Sequence, residues 1–453
     1  MYNLFIISII FLNISFSYQN YMQIRINHVN SDDVQLFQYS GIDIDHAYYE
    51  EGNFIEFAIS EYDIDKLISL GYNYDVIHQD LQEFYSSRLT NNYSREFGLG
   101  SMGGYYTWEE AVQRLDDIQA EYPDFVSEKI SLGLSFQGRD IWAIKISDNV
   151  DIDENEPEIL YTGMHHAREP MSFMNLYYYI YWLLENYNSN QDAKNILDNR
   201  ELWFIPIVNP DGYEYNRSIA PNGGGMQRKN MRNTCGSGAD GIDPNRNYSY
   251  MWGLDDQGSS SDGCNETYRG SSPFSEPETQ AVRDFVEGRD FTIAMNYHSY
   301  SNLLIYPFGY SYENPMDIND LNTFIEYAQD MTQYNNYQWG TGTDLLYPVN
   351  GEACDWMYGV HGIFAYTPEV GSQSDGFWPP SNRIVPLSEE NLYPNIRTAL
   401  YGGALISSEL NIQDGPYQSG TLYSLDISLS NIGLSSSNGI IELNFLADPG
   451  IDF

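Results

Sequence analysis

Basic side chains are scarce in this 453-residue sequence, in which 21 lysines and arginines stand against 64 aspartates and glutamates, for a formal net charge of −43. A surface this negative repels nucleic acid and anionic lipid, so we expect neither as a partner. The acidity is typical of a solvated surface suited to a salty or extracellular medium. A second interpretation is calcium binding by acidic loops such as Asp255-Asp256.

Long hydrophobic runs are also scarce. Residues 1–17 form one such run, which is too short for a comfortable membrane span and ends in small residues, so it predicts a secretory signal peptide. Because no lysine or arginine precedes its apolar part, an uncleaved anchor remains the alternative. No other stretch is long and apolar enough to span a bilayer. We expect a secreted, extracellular protein, with periplasmic or cell-surface location as variants, and no membrane contact after signal cleavage.

The sequence has only three cysteines. In a secreted protein, an even pair is expected to be bridged. Cys235 and Cys264 flank a polar, glycine-rich segment. A disulfide between them would close a loop of about 30 residues and stabilise the fold by roughly 3 kcal/mol in the chain-entropy account. Cys354 is left over.

Hydrophobic residues make up 42% of the chain, which supplies ample core for about two to four domains. Residues 20–88 combine a helical pattern at 63–70 with strand patterns at 22–29, 54–60 and 74–78. This mixture predicts a small α+β module, whose histidines we interpret as structural or surface residues. Residues 89–102, with Arg95 among them and Arg88 just before, have the composition of an exposed linker, where proteolytic nicking concentrates.

Residues 103–410 alternate apolar strands with helices. Thr107 and Glu110 form a capping-box pattern at the start of a helix that runs to about Glu121 and ends before Pro123. Further helical patterns fall at 171–185, from Pro277, from Ile318 and at 391–410. Strand patterns fall at 126–132, 141–146, 159–162, 202–208, 291–297 and 362–367. The alternation predicts an α/β unit with a mixed, largely parallel sheet that helices cover on both faces.

Residues 411–453 change character. A break at 413–415 precedes two strand patterns, 419–431 and 439–445, joined by a turn of serine, asparagine and glycine. This β-rich segment is too short for its own core. It is either the beginning of a sandwich-like domain or a hairpin docked on the preceding unit.

Histidine is scarce too, with seven in the chain. His166 and Glu169 lie three residues apart after an apolar run, and an imidazole and a carboxylate from one turn of chain can bind the same zinc ion. Catalytic zinc sites typically take three protein ligands and leave one position for water. His298 closes the apolar run at 291–297 and is the best distant candidate for the third ligand. His165, beside the motif, is the competing candidate.

Seven segments along the chain, in this order, resemble those of zinc metallocarboxypeptidases of the carboxypeptidase A and carboxypeptidase T type. The segments are His166-Ala167-Arg168-Glu169, Val208-Asn209-Pro210-Asp211-Gly212, Arg228-Lys229-Asn230, Asp243-Pro244-Asn245-Arg246-Asn247, His298-Ser299-Tyr300-Ser301, Tyr347 ahead of Asp355-Trp356, and Tyr366-Thr367-Pro368-Glu369. The resemblance covers roughly residues 103–410. It implies the zinc carboxypeptidase fold, with an eight-stranded type of sheet, a prodomain in residues 20–88 and activation by cleavage in residues 89–102.

The resemblance also implies one zinc ion, held by His166, Glu169 and His298. Glu369 matches the carboxylate that acts as base toward water and as acid toward the leaving amine, and it is expected just past the strand at 362–367. Arg228 matches the arginine that stabilises the charge of the tetrahedral intermediate. Removing one such donor typically costs ~10²–10³-fold in rate.

Recognition of a free C-terminal carboxylate needs a guanidinium fork that donates two parallel hydrogen bonds. Asn245 and Arg246 match the pair that does this in the family. Tyr347 matches the mobile tyrosine that closes over the bound residue, and Arg168 matches an auxiliary substrate-binding arginine. The expected partners are therefore peptides and proteins with a free C-terminus, and the expected state is a monomer.

The preferred C-terminal side chain depends on a further position in the resemblance. Cys354 falls where the family often sets this preference, and a neutral thiol there implies a pocket for apolar or aromatic side chains. Glu352, two residues away, could admit lysine or arginine. We expect apolar preference first and mixed preference second.

Two other functions compete with the exopeptidase. A related amidase that trims cell-wall peptides shares the zinc ligands but tends to alter the carboxylate-binding pair, so the presence of Asn245 and Arg246 argues against it. A non-catalytic binding relative usually loses the base or a ligand, yet Glu369 and the three ligand positions are present. The sequence therefore predicts a secreted metallocarboxypeptidase, a zinc hydrolase.

Overall fold

The computed structural model of the protein describes residues 19–90, 98–236, 240–412, 420–421, 425–437 and 441. The predicted signal segment at 1–17 and Arg95 lie outside these residues, as does nearly all of the strand pattern at 439–445. Among the described residues, no helix combines the length and the apolarity that crossing a membrane requires.

The first unit is a four-stranded antiparallel sheet with the strand order β2-β3-β1-β4 and helices packed on it. Its elements are β1 (Tyr21–Asn27), α1 (Ser31–Tyr39), β2 (Tyr48–Glu50), β3 (Phe54–Ser60), α2 (Glu61–Ser69), β4 (Asp75–His78) and α3 (Leu81–Arg88). Every second residue of β1 and β3 turns to one face, where Ile24 and Phe57 pack with Phe37 of α1 and Leu67 of α2. The unit has the α+β character predicted for these residues.

A larger unit follows, built on an eight-stranded sheet within the described residues. Its strands are β5 (Ile130–Leu134), β6 (Asp140–Ile146), β7 (Glu158–Thr162), β8 (Glu201–Ile205), β9 (Phe291–Asn296), β10 (Leu303–Tyr306), β11 (Gln338–Thr341) and β12 (Phe364–Glu369). Its helices are α4 (Trp108–Glu121), α5 (Met171–Asn186), α6 (Gln191–Leu197), α7 (Pro210–Ile219), α8 (Pro277–Glu287), α9 (Ile318–Met331), α10 (Gly342–Leu345), α11 (Ala353–His361), α12 (Ile384–Glu390) and α13 (Leu392–Gly402). Short 3₁₀ turns lie at Pro244–Arg246 and Ser381–Arg383.

The strands of the large sheet lie in the order β11-β10-β12-β9-β7-β8-β6-β5. The central strands β12, β9, β7 and β8 are parallel to one another, and β10 is parallel to β11. The pairs β10–β12, β8–β6 and β6–β5 are antiparallel. The sheet is therefore mixed and largely parallel, which confirms the predicted fold class.

Helices cover both faces of this sheet. Ile159 and Tyr161 of β7 point into one hydrophobic cluster together with most of α5, whereas Leu160 points into a second cluster with Val282 of α8 and Trp356 of α11. Parallel strands between two helical layers are buried on both faces, and all five residues of β7 are buried.

Several helices and strands begin or end at other residues than predicted, whereas the start of α4 agrees with the prediction. α4 begins at the predicted capping box, in which Glu110 N donates to Thr107 Oγ1 at 3.1 Å and Thr107 N donates to Glu110 Oε2 at 2.9 Å. The strand pattern at 126–132 begins only at Ile130. Glu369 is the last residue of β12 and does not lie beyond it. Patterning also missed short elements, among them α1, β10, β11 and α11.

The helix predicted at 391–410 is too long. α13 ends at Gly402, and the chain turns into β13 (Ile406–Ile412). Two consecutive glycines disfavour continuation of a helix. Gly403 also passes so close to Arg200 that a Cβ atom there would lie 1.9 Å from the Arg200 Nη2 atom.

The predicted linker is only partly an exposed segment. α3 continues to Arg88, whose guanidinium donates to the carbonyl oxygens of Ser374, Asp375 and Trp378 at 2.8–2.9 Å. Arg88 therefore anchors the first unit on the second.

The C-terminal residues contribute a hairpin. β13 pairs antiparallel with β14 (Leu425–Asn431), so a strand is present within the predicted range 419–431, and its described partner is β13. Leu434 N donates to Tyr401 O, and Tyr327 Oη donates to Ile432 O at 2.7 Å. These bonds attach the hairpin to the larger unit. Of the two interpretations of this segment, the arrangement resembles the docked hairpin.

The cysteines pair as predicted. Cys235 and Cys264, 29 residues apart, form a disulfide, and Cys354 is free and buried. Among its described residues, the polar segment that the bridge closes carries the short 3₁₀ turn at Pro244–Arg246 but no α-helix or strand.

Candidate metal centre and active site

The carboxyl ends of β7, β9 and β12 meet at one edge of the large sheet, because these strands are parallel neighbours. β7 leads into the segment with His166 and Glu169, β9 leads to His298, and β12 ends on Glu369. His298 and Glu369 form an isolated parallel bridge. Open α/β sheets bind their ligands at this edge.

The segment between β7 and α5 is held without regular secondary structure. Met164 has φ of 57°, a left-handed conformation that is uncommon outside glycine. Met164 N donates to Ser172 Oγ at 2.9 Å, and Ser172 Oγ donates to Glu169 O at 2.5 Å. These buried bonds fix the turn that presents His166 and Glu169 on the same side.

His166, Glu169 and His298 are buried and direct donor atoms toward one point. His166 Nδ1 lies 2.9 Å from Glu169 Oε1, His298 Nδ1 lies 3.0 Å from Glu169 Oε2, and the two Nδ1 atoms are 3.1 Å apart. One donor atom from each residue falls within 4.8 Å of the other two. Two imidazoles and one carboxylate are a ligand set that proteins use for catalytic zinc.

The protonation states of this group also fit a metal ion. Burial lowers the pKa of His298 to about 4, and the neighbouring His166 adds to the effect. Burial alone would raise the pKa of Glu169, but His166 and the hydrogen bonds of His298 hold it well below its ordinary range. A neutral imidazole and an ionised carboxylate are the forms that ligate a metal, so neither residue has to lose a proton at neutral pH.

Asp243 lies on the outer side of His166. Its Oδ1 atom is 3.1 Å from His166 Nε2, and its Oδ2 atom accepts from Arg228 Nε at 3.1 Å and from Arg228 Nη2 at 2.9 Å. Burial alone would raise the pKa of Asp243, but Arg228 and His166 hold it far below its ordinary range. A carboxylate in this position fixes the tautomer and the ring orientation of a metal-binding histidine. Sequence analysis included Asp243 in a matching segment but assigned it no role.

Glu369 lies beside the three donors. Its side chain is buried, and its Oε2 atom has no hydrogen-bond partner among the described residues. Burial raises the pKa of Glu369 well above its ordinary range; nearby His46 opposes this, and the negative charges of Glu169 and Asp45 add to it. Glu369 Oε2 therefore lies beside the three donors with no hydrogen bond from the described residues, and its nearest cationic neighbour is His46 Nδ1 at 3.8 Å.

Arg228 and Arg168 both reach the same edge. Arg228 is held by Asp243 through Nε and Nη2, and its Nη1 atom contacts Asp45 of the first unit. Arg168 lies 3.6 Å from Asp45 and 3.9 Å from Asp43, with its guanidinium 4.2 Å from the ring centre of Phe377.

Asn245 and Arg246 lie in the 3₁₀ turn that follows Asp243. Asn245 Nδ2 is 3.3 Å from His298 Nε2, and Asn245 Oδ1 accepts from Ala353 N at 3.0 Å. Arg246 Nε is buried and has no hydrogen-bond partner among the described residues. Gly351, with φ of 73°, packs against this turn, and a Cβ atom there would lie 2.6 Å from Arg246 O.

The side chains of the remaining predicted residues, Tyr347, Cys354 and Glu352, differ in their contacts. The Tyr347 hydroxyl donates to Asp45. Cys354 instead donates to Ala365 O at 3.2 Å and packs within the second hydrophobic cluster. Glu352 and Asp355, which flank it, are both buried; burial raises the pKa of each carboxyl, and Glu352 adds to the shift at Asp355.

His165, the competing ligand candidate, turns away from the donors. Its Nε2 atom lies 2.8 Å from the Tyr248 hydroxyl. It belongs to none of the groups of three potential ligands found among the described residues.

Two residues of the first unit complete the site, and sequence analysis missed both. Asp45 contacts Arg228, and His46 Nδ1 donates to Tyr300 O at 2.6 Å. The His46 ring lies 3.8 Å from Glu169 Oε1 through Nε2 and 3.8 Å from Glu369 Oε2 through Nδ1. The interpretation of all histidines in residues 20–88 as structural or surface residues is therefore wrong for His46. Its position beside aspartates in an irregular loop was the one available signal.

A family model described as "Zinc carboxypeptidase" matches residues 111–394 of the chain. The protein belongs to the zinc carboxypeptidase family. It is therefore a metallocarboxypeptidase, and the matched range includes the ten residues predicted to bind the metal ion or the substrate or to act in catalysis.

Individual relatives agree with this. A zinc carboxypeptidase of Saccharothrix mutabilis subsp. capreolus is 37% identical over 306 residues, which cover 64% of this chain and 67% of that protein. Zinc carboxypeptidase A 1 of Anopheles gambiae is 34% identical over 333 residues, covering 70% of this carboxypeptidase and 73% of the mosquito protein. In fold, the chain is similar to the crystal structure of carboxypeptidase A from Helicoverpa armigera, with a TM-score of 0.70 and 22% identity over 84% of this chain and 97% of that one.

The first prediction concerns Asp243 of this carboxypeptidase. Asp243→Asn should weaken zinc binding by about 10–100-fold, because the amide no longer holds the His166 ring as an ionised carboxylate does. Competitive titration with a chromogenic chelator measures the affinity. The control is Asp256→Asn, which changes an exposed aspartate paired with Arg269 and should bind zinc as the wild type does. Unchanged affinity in Asp243→Asn would contradict the role given to this carboxylate.

Proposed function

We propose that this zinc carboxypeptidase is secreted as an inactive precursor and, once cleaved, hydrolyses the C-terminal peptide bond of peptides and proteins. The observation that carries the proposal is the convergence of His166, Glu169, His298 and Glu369 at one edge of the sheet, beside buried arginines. A metal-binding set, a carboxyl with a free oxygen and cationic carboxylate receptors are the groups that such an exopeptidase needs.

His166, Glu169 and His298 would hold the zinc ion, which supplies Lewis-acid polarisation and acidifies an attacking water. Glu369 Oε2, buried and without a partner among the described residues, is the atom that takes the water proton. The same carboxyl would then pass that proton to the leaving amine. General acid–base groups work best when their pKa lies near the working pH.

Arg228 is the proposed partner of the oxyanion. Two of its three nitrogens are engaged by Asp243, which fixes the plane of the guanidinium. The third, Nη1, points to the carboxylate of Asp45. When Asp45 leaves, Nη1 is available for the negative charge that develops on the substrate, and a donor positioned in advance for such charge lowers the barrier.

Arg246 and Asn245 are the proposed receptors for the C-terminal carboxylate of the substrate. Arg246 keeps a buried Nε atom with no partner among the described residues, which is costly unless a ligand satisfies it. Tyr347, whose hydroxyl now donates to Asp45, would close over the bound residue. Arg168 would assist from the Asp45 side.

The first unit is the proposed inhibitory prodomain. Asp45 occupies the cationic groups that a substrate would use, contacting Arg228 and lying 3.6 Å from Arg168. His46 lies between Glu169 and Glu369, at 3.8 Å from each, where water and the scissile carbonyl have to enter. The Arg88 contacts hold the unit in place, and the activating cleavage is proposed within residues 89–102.

The role of Glu369 can be tested directly. Glu369→Gln should lower kcat on a blocked peptide by about 10²–10⁴-fold, because an amide cannot accept the water proton, while the zinc content stays at one per chain. The control is Glu326→Gln, at an exposed position on α9, which should keep wild-type activity. If Glu369→Gln retains activity within tenfold of the wild type after activation, Glu369 is not the base.

The inhibitory loop can be tested in the uncleaved chain. Asp45→Asn combined with His46→Gln should raise the activity of the full-length protein by about tenfold or more, because truncating one partner of a buried charge pair costs ~2–5 kcal/mol. Asp65→Asn, at an exposed position of the same unit, should change nothing. Release of free amino acid is measured before and after limited proteolysis. A wild-type precursor that is as active as its cleaved form would contradict the proposal.

For the preferred substrate, we favour apolar or aromatic C-terminal residues, with lysine as a second class through Glu352. Burial raises the pKa of both carboxyls of the Glu352–Asp355 pair, which weakens their tendency to ionise and favours an apolar group beside them.

Peptides that end in phenylalanine, leucine, lysine or glutamate test this preference. We expect kcat/KM to be highest for phenylalanine and leucine. Glu352→Gln should lower kcat/KM for lysine by about tenfold, the value of one hydrogen bond to a charged group, and leave phenylalanine within about twofold. A highest kcat/KM for glutamate, or equal losses for lysine and phenylalanine, would contradict this assignment.

A further inference from the structure

Two irregular segments of the chain meet beside α7. Residues 164–169, here called the metal segment, carry two of the proposed zinc ligands, and residues 225–230, here called the arginine segment, carry Arg228. Neither segment contains a helix or a strand. Ala167 N donates to Arg228 O at 2.9 Å, so the two backbones are in contact. The distance between the metal ligands and Arg228 therefore depends on what holds these segments together.

Asn216, in the second half of α7, bonds to both segments. Its side chain is fully buried. Its Nδ2 atom donates to Ala167 O at 2.9 Å and to Gln227 O at 2.9 Å, and its Oδ1 atom accepts from Gln227 N at 2.8 Å. A primary amide offers two N–H donors and one carbonyl oxygen. Both hydrogens and the oxygen of Asn216 are therefore bonded to backbone groups of the two segments.

The packing around Asn216 is close. A Cβ atom at Gly225 would lie 2.5 Å from Asn216 Oδ1 and 2.6 Å from Asn216 Cβ, so the arginine segment passes over this side chain only because a glycine is present there. At the start of α7, Asn209 Nδ2 donates to His165 O at 3.2 Å and to Arg228 O at 3.4 Å. The asparagines at the two ends of α7 therefore join the metal segment to the arginine segment at two points.

Arg228 is thus held at both ends. Asp243 binds its guanidinium through Nε and Nη2, whereas the bonds of Asn216 to Gln227 hold the backbone from which the side chain extends. A guanidinium keeps its position only if this backbone is also fixed, and misplacing a catalytic group by about 1 Å can cost ~10²-fold in rate. Asn216 bonds to backbone atoms only, so it would act on the reaction through Arg228.

We propose that Asn216 is a positioning residue, which fixes the guanidinium of Arg228 relative to the metal ligands. This inference rests on the proposed function, in which Arg228 stabilises the oxyanion. The C-terminal carboxylate of the substrate is received by Asn245 and Arg246, which belong to neither segment. Loss of the Asn216 bonds therefore weakens an interaction that the substrate makes only in the transition state, and such a loss lowers kcat while KM stays nearly constant.

The test uses the zinc-loaded protein after limited proteolysis. Asn216→Asp keeps the shape of the side chain but replaces the donor with an oxygen that faces two carbonyl oxygens. Its kcat on a blocked peptide should fall by about 10–100-fold, its KM should change by less than about threefold, and its zinc content should equal that of the wild type. The matched control is Asn391→Asp. Asn391 is equally buried, and its Nδ2 atom donates to Leu387 O at 2.9 Å and to Tyr337 Oη at 3.1 Å. The control should keep the wild-type kcat even if its Tm falls.

Two further measurements separate positioning from a general loss of stability. In protein that already carries Arg228→Gln, adding Asn216→Asp should lower kcat by no more than about threefold, because residues that act as a unit have non-additive effects. A peptide phosphonate carries charged oxygens where the tetrahedral intermediate has them. Isothermal titration should show that it binds Asn216→Asp more weakly, by about the factor that kcat/KM loses.

Three results would overturn this inference and leave the proposed function intact. They are a kcat of Asn216→Asp within about threefold of the wild type, the full loss recurring in the Arg228→Gln background, and an equal loss in Asn391→Asp. Unchanged binding of the phosphonate to Asn216→Asp would count against it in the same way. Wild-type kcat in Arg228→Gln would instead contradict the proposed role of Arg228, and the inference would fall with it.

Discussion

Charged side chains that have been removed from water impose the main constraint on this structure. At the carboxyl edge of the large sheet, six of them are at most 7% exposed: Asp45, Arg168, Glu169, Arg228, Asp243 and Glu369. An isolated buried charge costs several kcal/mol, so each must face an opposite charge, a hydrogen-bond donor or a metal ion. The geometry of the site follows from this requirement, because every pairing fixes the direction of both side chains.

The same requirement explains how one surface can serve two occupants. The guanidinium groups of Arg228 and Arg168 need a negative partner whether or not a substrate is bound, and Asp45 supplies one in this structure. A peptide carboxylate or a developing oxyanion has the same charge and a similar shape. The first unit therefore covers the site by satisfying its charges. Under the proposed activation, its removal would leave groups that are already oriented and in need of an anion.

The two ends of β7 place buried carboxylates in different electrostatic environments. Beyond its carboxyl end, Glu169 is surrounded by two imidazoles and lies 4.0 Å from Arg228. At its amino end, Glu158 and Glu201 belong to a group in which carboxylates outnumber cations. Strands of this length keep the two environments apart, so the charged groups at one edge can change without affecting those at the other.

Sequence alone established much of this protein. Alternating apolar patterns predicted the mixed sheet and its central strands, since residues buried between two helical layers have to be apolar. The order of the short motifs predicted the zinc carboxypeptidase family and the residues that now meet at the sheet edge. Such motifs can be recognised from residue type and local spacing alone, without knowledge of the contacts between distant segments. The pairing of Cys235 with Cys264 followed from their number and setting. Short elements such as β10, β11 and α11 were not predicted, because they contain too few residues for a hydrophobic period to be recognised.

Only the tertiary structure decided which distant groups touch. Asp243 lies in a matching segment but could not be recognised as the partner of His166, because the two are 77 residues apart. His46 resembled a surface histidine until the first unit was seen docked on the second, and Cys354 resembled a pocket residue until its thiol was seen to face Ala365. Periodicity and motifs report on neighbours along the chain, whereas contacts between elements depend on how whole sheets and loops pack, and that packing is a property of the folded molecule.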